Sequence, residues 1–151
     1  MLYIGIDPGQ SGGIAVVSTD GGWRSTCKMP ESDQGVLDYL QMVRDGLGEA
    51  SCPIKAALEF VRAMPKQGVS STFKFGWGYG GLRMALAACQ IPFEEVTPAK
   101  WQAALGCRSG GDKNVTKRKA QELFPTARVT HAIADALLLA EWLRRRDLGI
   151  R

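Results

Sequence analysis

Three carboxylates stand where an acid costs free energy unless a partner offsets it. Asp7 ends the apolar run Leu2–Ile6 and is followed by Pro8-Gly9. Asp-Pro-Gly is an ordinary turn opening, yet the C-terminal end of a central strand is also where α/β sheets place ligands. Glu59 closes Ile54-Lys55-Ala56-Ala57-Leu58, a strand expected to be buried on both faces. A glutamate there either marks a solvent edge or is held for a purpose. Asp135 sits among alanines and leucines in HAIADALLLAEW, one helical turn after His131, the single histidine of the chain. Alone, each has a plain reading as a turn, a strand edge or a surface His–Asp pair. Brought together, they would repel and raise one another's pKa values unless a cation or protons intervened. Oxygen ligands with one imidazole suit Mg²⁺ or Mn²⁺. Two such ions about 3.5–4 Å apart could stabilise the attacking and leaving oxygens of phosphodiester hydrolysis.

Positioning these groups requires a sheet. Leu2–Ile6 and Ile14–Val17 read as strands, and Thr19-Asp20-Gly21-Gly22 as a hairpin turn into a third strand over residues 23–28. Val36, Leu37, Leu40, Val43 and Leu47 recur at helical spacing, predicting a helix over 33–48. The short strand 54–59 then follows a crossover and is expected to pair in parallel. Residues 70–89 read as one helix despite Gly76, Gly80 and Gly81, with Ser70-Ser71 as its cap and with Phe73 and Trp77, like Phe60, in core packing. Phe93–Val96 is a last strand, and Thr97-Pro98 opens a helix through Leu105. After a loop at 106–111 come a basic helix from Lys113 to Phe124 and a terminal helix from His131 to Arg146, with Thr130 as its cap. The whole predicts an α/β fold with a mixed five-stranded sheet, three antiparallel strands then two parallel, flanked by helices. It forms a single domain over 1–151, with no repeat or linker.

Composition narrows the function classes. At 45% hydrophobic and 23% charged, the chain is of soluble globular type. No apolar run reaches the roughly 18 residues of a membrane span. The start MLYIGIDPG does not read as a signal peptide. Four scattered cysteines, Cys27, Cys52, Cys89 and Cys107, fit reduced thiols in a cytoplasm rather than disulfides or zinc. The net charge of +4 gathers in the last third, at Lys113, Lys117, Arg118, Lys119, Arg144, Arg145, Arg146 and Arg151. Such clustering fits a phosphate-contacting face, although charged helix faces are often merely solvated.

IGIDPG at 4–9 with Gly12-Gly13-Ile14-Ala15, ALE at 57–59 and ADALLLA at 134–140 resemble the RuvC family of Holliday-junction resolvases, in order and over nearly the whole chain. The resemblance implies a ribonuclease-H-like fold and a homodimer that nicks four-way DNA junctions symmetrically with Mg²⁺ or Mn²⁺. It implies Asp7, Glu59 and Asp135 as metal ligands. The family's fourth ligand falls three residues before the last aspartate, where this chain has Ala132; His131, one residue earlier on the same face, takes that role here. Lys100 in TPAKW and Lys113 in GDKNVTK match two family lysines near the scissile phosphate, Lys113 with a helix N-terminus behind it. Family members also insert an aromatic wedge just after the glutamate, where this chain has Arg62. The loop from Arg62 to Gly68, with Lys66, is therefore the expected junction contact, joined by Lys117 and Arg118.

The resulting expectation is a Mg²⁺- or Mn²⁺-dependent endonuclease using two ions, Asp7 bridging them, Glu59 on one and Asp135 with His131 on the other. Its products would be 5′-phosphate and 3′-hydroxyl ends, its host a bacterium or a phage, its setting the cytoplasm. A related nuclease acting on structured RNA, or loosely on branched DNA, remains open. IGIDPGQSGG also resembles the phosphate loop of sugar kinases and actin-like ATPases, but that fold needs two lobes. A module that only binds nucleic acid would not need the acidic set.

Overall fold

Alternation along the strands decides which side of the sheet carries chemistry. The computed structural model describes residues 1–46, 52–62 and 68–150. β1 (Leu2–Asp7), β2 (Gly13–Ser18) and β3 (Trp23–Lys28) form an antiparallel meander. β4 (Ile54–Glu59) pairs in parallel with β1, and β5 (Phe93–Val96) in parallel with β4. The order is β3-β2-β1-β4-β5, the mixed sheet that the sequence predicts. Five helices flank it: α1 (Asp33–Gly46), α2 (Val69–Ala88), α3 (Pro98–Ala104), α4 (Lys113–Leu123) and α5 (His131–Leu148). Among the described residues, no helix is long and apolar enough to cross a membrane.

With a side-chain period of two, each strand sends alternate residues to opposite faces. Leu2, Ile4, Ile6, Ile14, Val16, Ala56 and Leu58 pack against Val36, Leu40 and Val43 of α1 and Leu82, Ala85 and Leu86 of α2. Tyr3, Ala15, Val17, Ala57 and Val96 face the other way, onto α5 together with Trp101, Ala120 and Phe124. Asp7 is in phase with Tyr3, and Glu59 with Ala57, so both acids belong to the α5 face.

Two glycines set how close α5 can come. Ala15, Gly5 and Ala57 are register partners across β2, β1 and β4, a row of small residues directly beneath the helix. A Cβ on Gly5 would lie 2.0 Å from the Ala136 carbonyl oxygen, and one on Gly13 would lie 2.7 Å from that of Ala132. Any larger residue would lift α5 from the sheet, and with it Asp135.

Helix ends depart from expectation. The Asp112 side chain caps α4, accepting from Asn114 N at 2.9 Å. Gly68, not Ser70 or Ser71, is the N-cap of α2, and no side chain bonds there. Thr97 and Thr130 occupy the N-cap positions of α3 and α5 without side-chain capping bonds. The predicted first helix ends at Gly46; its expected last residues, 47 and 48, lie outside the described residues. Helix α2 is continuous despite its glycines because Leu82, Ala85 and Leu86 anchor one side of its second half. Core packing for Phe73 and Trp77 is overturned: they are 68% and 66% exposed. They pair with each other edge to face, ring centroids 6.0 Å apart. The i, i+4 spacing is satisfied by each other rather than by the core.

Candidate functional site

Strands β1 and β4 end side by side. Ile6 pairs with Leu58, so one further residue along this register sets Asp7 beside Glu59. The first turns of α5, held down over Gly13 and Gly5, bring Asp135 to the same rim. The three acids sense one another. Burial, then Glu59 and Asp135, push the Asp7 carboxyl up to about 8. Burial pushes Glu59 up to about 7, with Asp135 adding to it against the pull of a hydrogen bond from Trp101. Asp135 is raised too, chiefly by burial, with Thr116, Lys113 and His131 pulling it back.

Among the described residues, Lys113 is the one cation that lowers all three acids. It is exposed at the start of α4. The expected assistance from the α4 N-terminus is weakened, because the Asp112 carboxylate already occupies it. His131 is exposed at the first position of α5 and acts on Asp135 alone among the three. Lys100 goes elsewhere, its ammonium 5.6 Å from the Trp142 ring centroid. Arg62 stacks on half-buried Phe60, the guanidinium 5.3 Å from the ring centroid. The Phe75 ring lies 3.5 Å from where a Cβ on Gly9 would be, so α2 leans over the turn that follows Asp7. Lys66 lies outside the described residues, as does most of the expected contact loop.

Among the described residues, no group of three or more His, Cys, Asp or Glu side chains is placed so that it could hold a metal ion as it stands. The chemistry of the acid group nonetheless fits a hard divalent cation. Asp135 Oδ1 is buried without a hydrogen-bond partner, a costly state for a carboxylate oxygen. Two adjacent acids are held near neutral pKa, where a cation would supply the missing countercharge.

The arginines near the end of α5 belong to a different structure. Glu141, 3% exposed, is bound by Arg144 Nε at 2.7 Å and Arg145 Nε at 2.6 Å. Arg144 also donates to the Thr19 carbonyl at 3.0 Å, tying α5 to the β2–β3 turn. Arg146 binds Glu94 and Asp147 and stacks on Trp142. These cations are spent on the fold at the sheet edge remote from Asp7, so this part of the basic cluster is structural. On α4, Lys119 pairs with Glu122. Lys117 and Arg118 enter no ion pair among the described residues.

One participant escaped the sequence reading. Trp101 is fully buried, and its indole N–H donates to Glu59 Oε1 at 2.9 Å. A buried tryptophan needs an acceptor, which was signal enough to ask for one. Nothing in TPAKW says that the acceptor lies 42 positions earlier.

The sheet order and the helices around it are those of the ribonuclease-H-like fold in its RuvC-like form. Two solved structures carry the comparison. The Thermus thermophilus RuvC structure matches with a TM-score of 0.68 and 20% identity, over 99% of this chain and 98% of that one. T. thermophilus RuvC in complex with a Holliday junction substrate matches with a TM-score of 0.66 and 20% identity, over 99% and 97%. No protein family and no curated protein matches the sequence.

Proposed function

We propose that the protein is a divalent-metal-dependent endonuclease that resolves four-way DNA junctions by paired symmetric nicks. The observation that carries this reading is the convergence of Asp7, Glu59 and Asp135 at one rim, with two carboxyls raised to about 8 and 7 and a third acid bearing an unpartnered buried oxygen. Such a group has no structural rationale as an anionic cluster, since its repulsion costs stability. It has one as a cation site.

In this reading Asp7, Glu59, Asp135 and His131 would hold two Mg²⁺ or Mn²⁺ ions. The bound ions would activate a water and stabilise the departing 3′-oxygen, leaving 5′-phosphate and 3′-hydroxyl ends. Lys113 neutralises phosphate charge over the acids. Lys100 would have to leave Trp142 to join it. Arg62, Lys66, Lys117 and Arg118 contact the DNA backbone, Arg62 also offering a stacking plane for an unpaired base. T. thermophilus RuvC has been solved with a Holliday junction substrate, which supports choosing that substrate first.

Paired nicks need two sites, and helix α2 offers a surface to join them. Val69, Phe73, Trp77 and Met84 are 88%, 68%, 66% and 69% exposed and share one helical face with Gly76 and Gly80, where an added Cβ would meet nothing. Phe73 and Trp77 alone leave on the order of 250–300 Å² bare. Two copies packed through this face would bury on the order of 1,000 Å², enough for a specific dimer.

The test is a panel of a synthetic four-way junction, Y, flap and linear DNA, and structured RNA, in Mg²⁺, Mn²⁺ or EDTA. Symmetric EDTA-sensitive nicks on the junction alone are expected. Equal cutting of RNA, or of every branched DNA, would replace the junction with a looser substrate class. No cutting of any substrate would overturn the reading.

A further inference from the structure

A carboxylate that serves a cation must hold its charge available and its orientation fixed. Glu59 is 8% exposed, and Trp101 N–H holds its Oε1 at 2.9 Å. The donor is neutral and cannot titrate, so it orients the carboxylate without cancelling its charge. An arginine or lysine at this place would compete with a cation for Glu59.

The donor is itself rigidly placed. Glu59 is the register partner of Val96, and Phe60 N donates to the Val96 carbonyl at 2.7 Å. Thr97 and Pro98 then turn the chain directly into α3, whose packing buries Trp101 completely among Val96, Leu105 and Leu137. Donor and acceptor therefore hang from the same β4–β5 pairing, four residues of chain separating Val96 from Trp101. With Oε1 committed to the indole, Oε2 is the oxygen left for a ligand.

We propose that Trp101 is a positioning residue for divalent-ion capture: its indole N–H fixes Glu59 so that one carboxylate oxygen stays open to the ion. This deepens the cation-site reading and rests on it. Partners that orient a metal ligand typically contribute about ten- to a hundred-fold in affinity.

The test is Mn²⁺ titration of the full chain without nucleic acid, followed by electron paramagnetic resonance of free Mn²⁺, on wild type, Trp101→Phe and Leu105→Ala. Phenylalanine keeps an aromatic ring in the core and removes the N–H. Leu105→Ala loosens the same packing and leaves the N–H. Trp101→Phe should weaken Mn²⁺ about ten-fold with a smaller loss of Tm than Leu105→Ala, which should bind Mn²⁺ like wild type. Unchanged Mn²⁺ affinity in Trp101→Phe, or weakening that tracks Tm across both variants, would overturn the role of Trp101 while leaving the cation site standing. Wild type that takes up no Mn²⁺ would instead remove the cation site itself.

Discussion

Asp7 is the residue at which the cost and the use of the site meet. Its carboxyl is raised from an ordinary 3.8 to about 8, and that of Glu59 from 4.5 to about 7. In the pH window from about 4 to about 8 the ion-free folded protein therefore binds more protons than the unfolded chain. Stability falls as pH rises through that window. Asp7→Asn removes the largest contribution. It is expected to stabilise the ion-free protein at pH 8 by on the order of 1–3 kcal/mol, to flatten the pH dependence of Tm, and to abolish the Tm increase on adding Mg²⁺. Thermal melts between pH 5 and pH 8.5 check this; a variant less stable than wild type at pH 8 would contradict the electrostatic account. All three acids were legible in the sequence because each interrupts or closes an apolar run, which a soluble protein avoids without reason. Trp101 was not, because its role depends on the β4–β5 pairing, which no local pattern encodes. The part assigned to His131 rests on its helical phase with Asp135, and the structure adds its exposure and its pull on that acid alone.

At the scale of elements, strand and helix positions followed closely from periodicity and turn chemistry, down to the hairpin whose Gly21 takes φ +86° beside Asp20. Caps did not. Ser70, Ser71, Thr97 and Thr130 have the right chemistry, but side-chain direction at a helix start depends on the incoming chain, and the capping bonds are made instead by Asp112 on α4 and Ser32 on α1. Helix α2 is the most instructive difference. Its aromatic residues look like core from sequence because hydrophobicity does not say which side of a helix the rest of the protein covers. Sheet packing uses Leu82, Ala85 and Leu86 and leaves Phe73 and Trp77 to solvent. If a second copy covers that face, Trp77→Glu should convert a dimer to a monomer with an unchanged circular dichroism spectrum. Sedimentation velocity reads the outcome; a wild-type monomer, or a variant that stays dimeric, would contradict it.

Over the whole molecule, charge is divided between two tasks. The α5 helix, about 27 Å long at 1.5 Å per residue, carries the acid site at one end and a self-satisfied arginine network at the other. From sequence the basic residues of the last third form one population, because partners such as Glu94 and Glu141 become visible only when strand and helix are packed together. DNA binding should sort them. In the Asp7→Asn background, neutralising Lys113, Lys117 or Arg118 should each lower the slope of log affinity against log salt by about 0.7–0.9. Arg144→Gln should leave that slope unchanged while lowering Tm. Equal slopes for the two groups of variants would place the DNA elsewhere. The most direct measurement of the central claim is cleavage of a labelled four-way junction by wild type, Asp7→Asn, Glu59→Gln and Asp135→Asn, each with Mg²⁺ and with EDTA. The account predicts paired nicks from wild type with Mg²⁺ only, and at least a thousand-fold loss in each variant, about 4 kcal/mol of transition-state stabilisation, with junction binding retained. Cleavage that survives EDTA, or that any one of the three variants sustains at the wild-type rate, would contradict it.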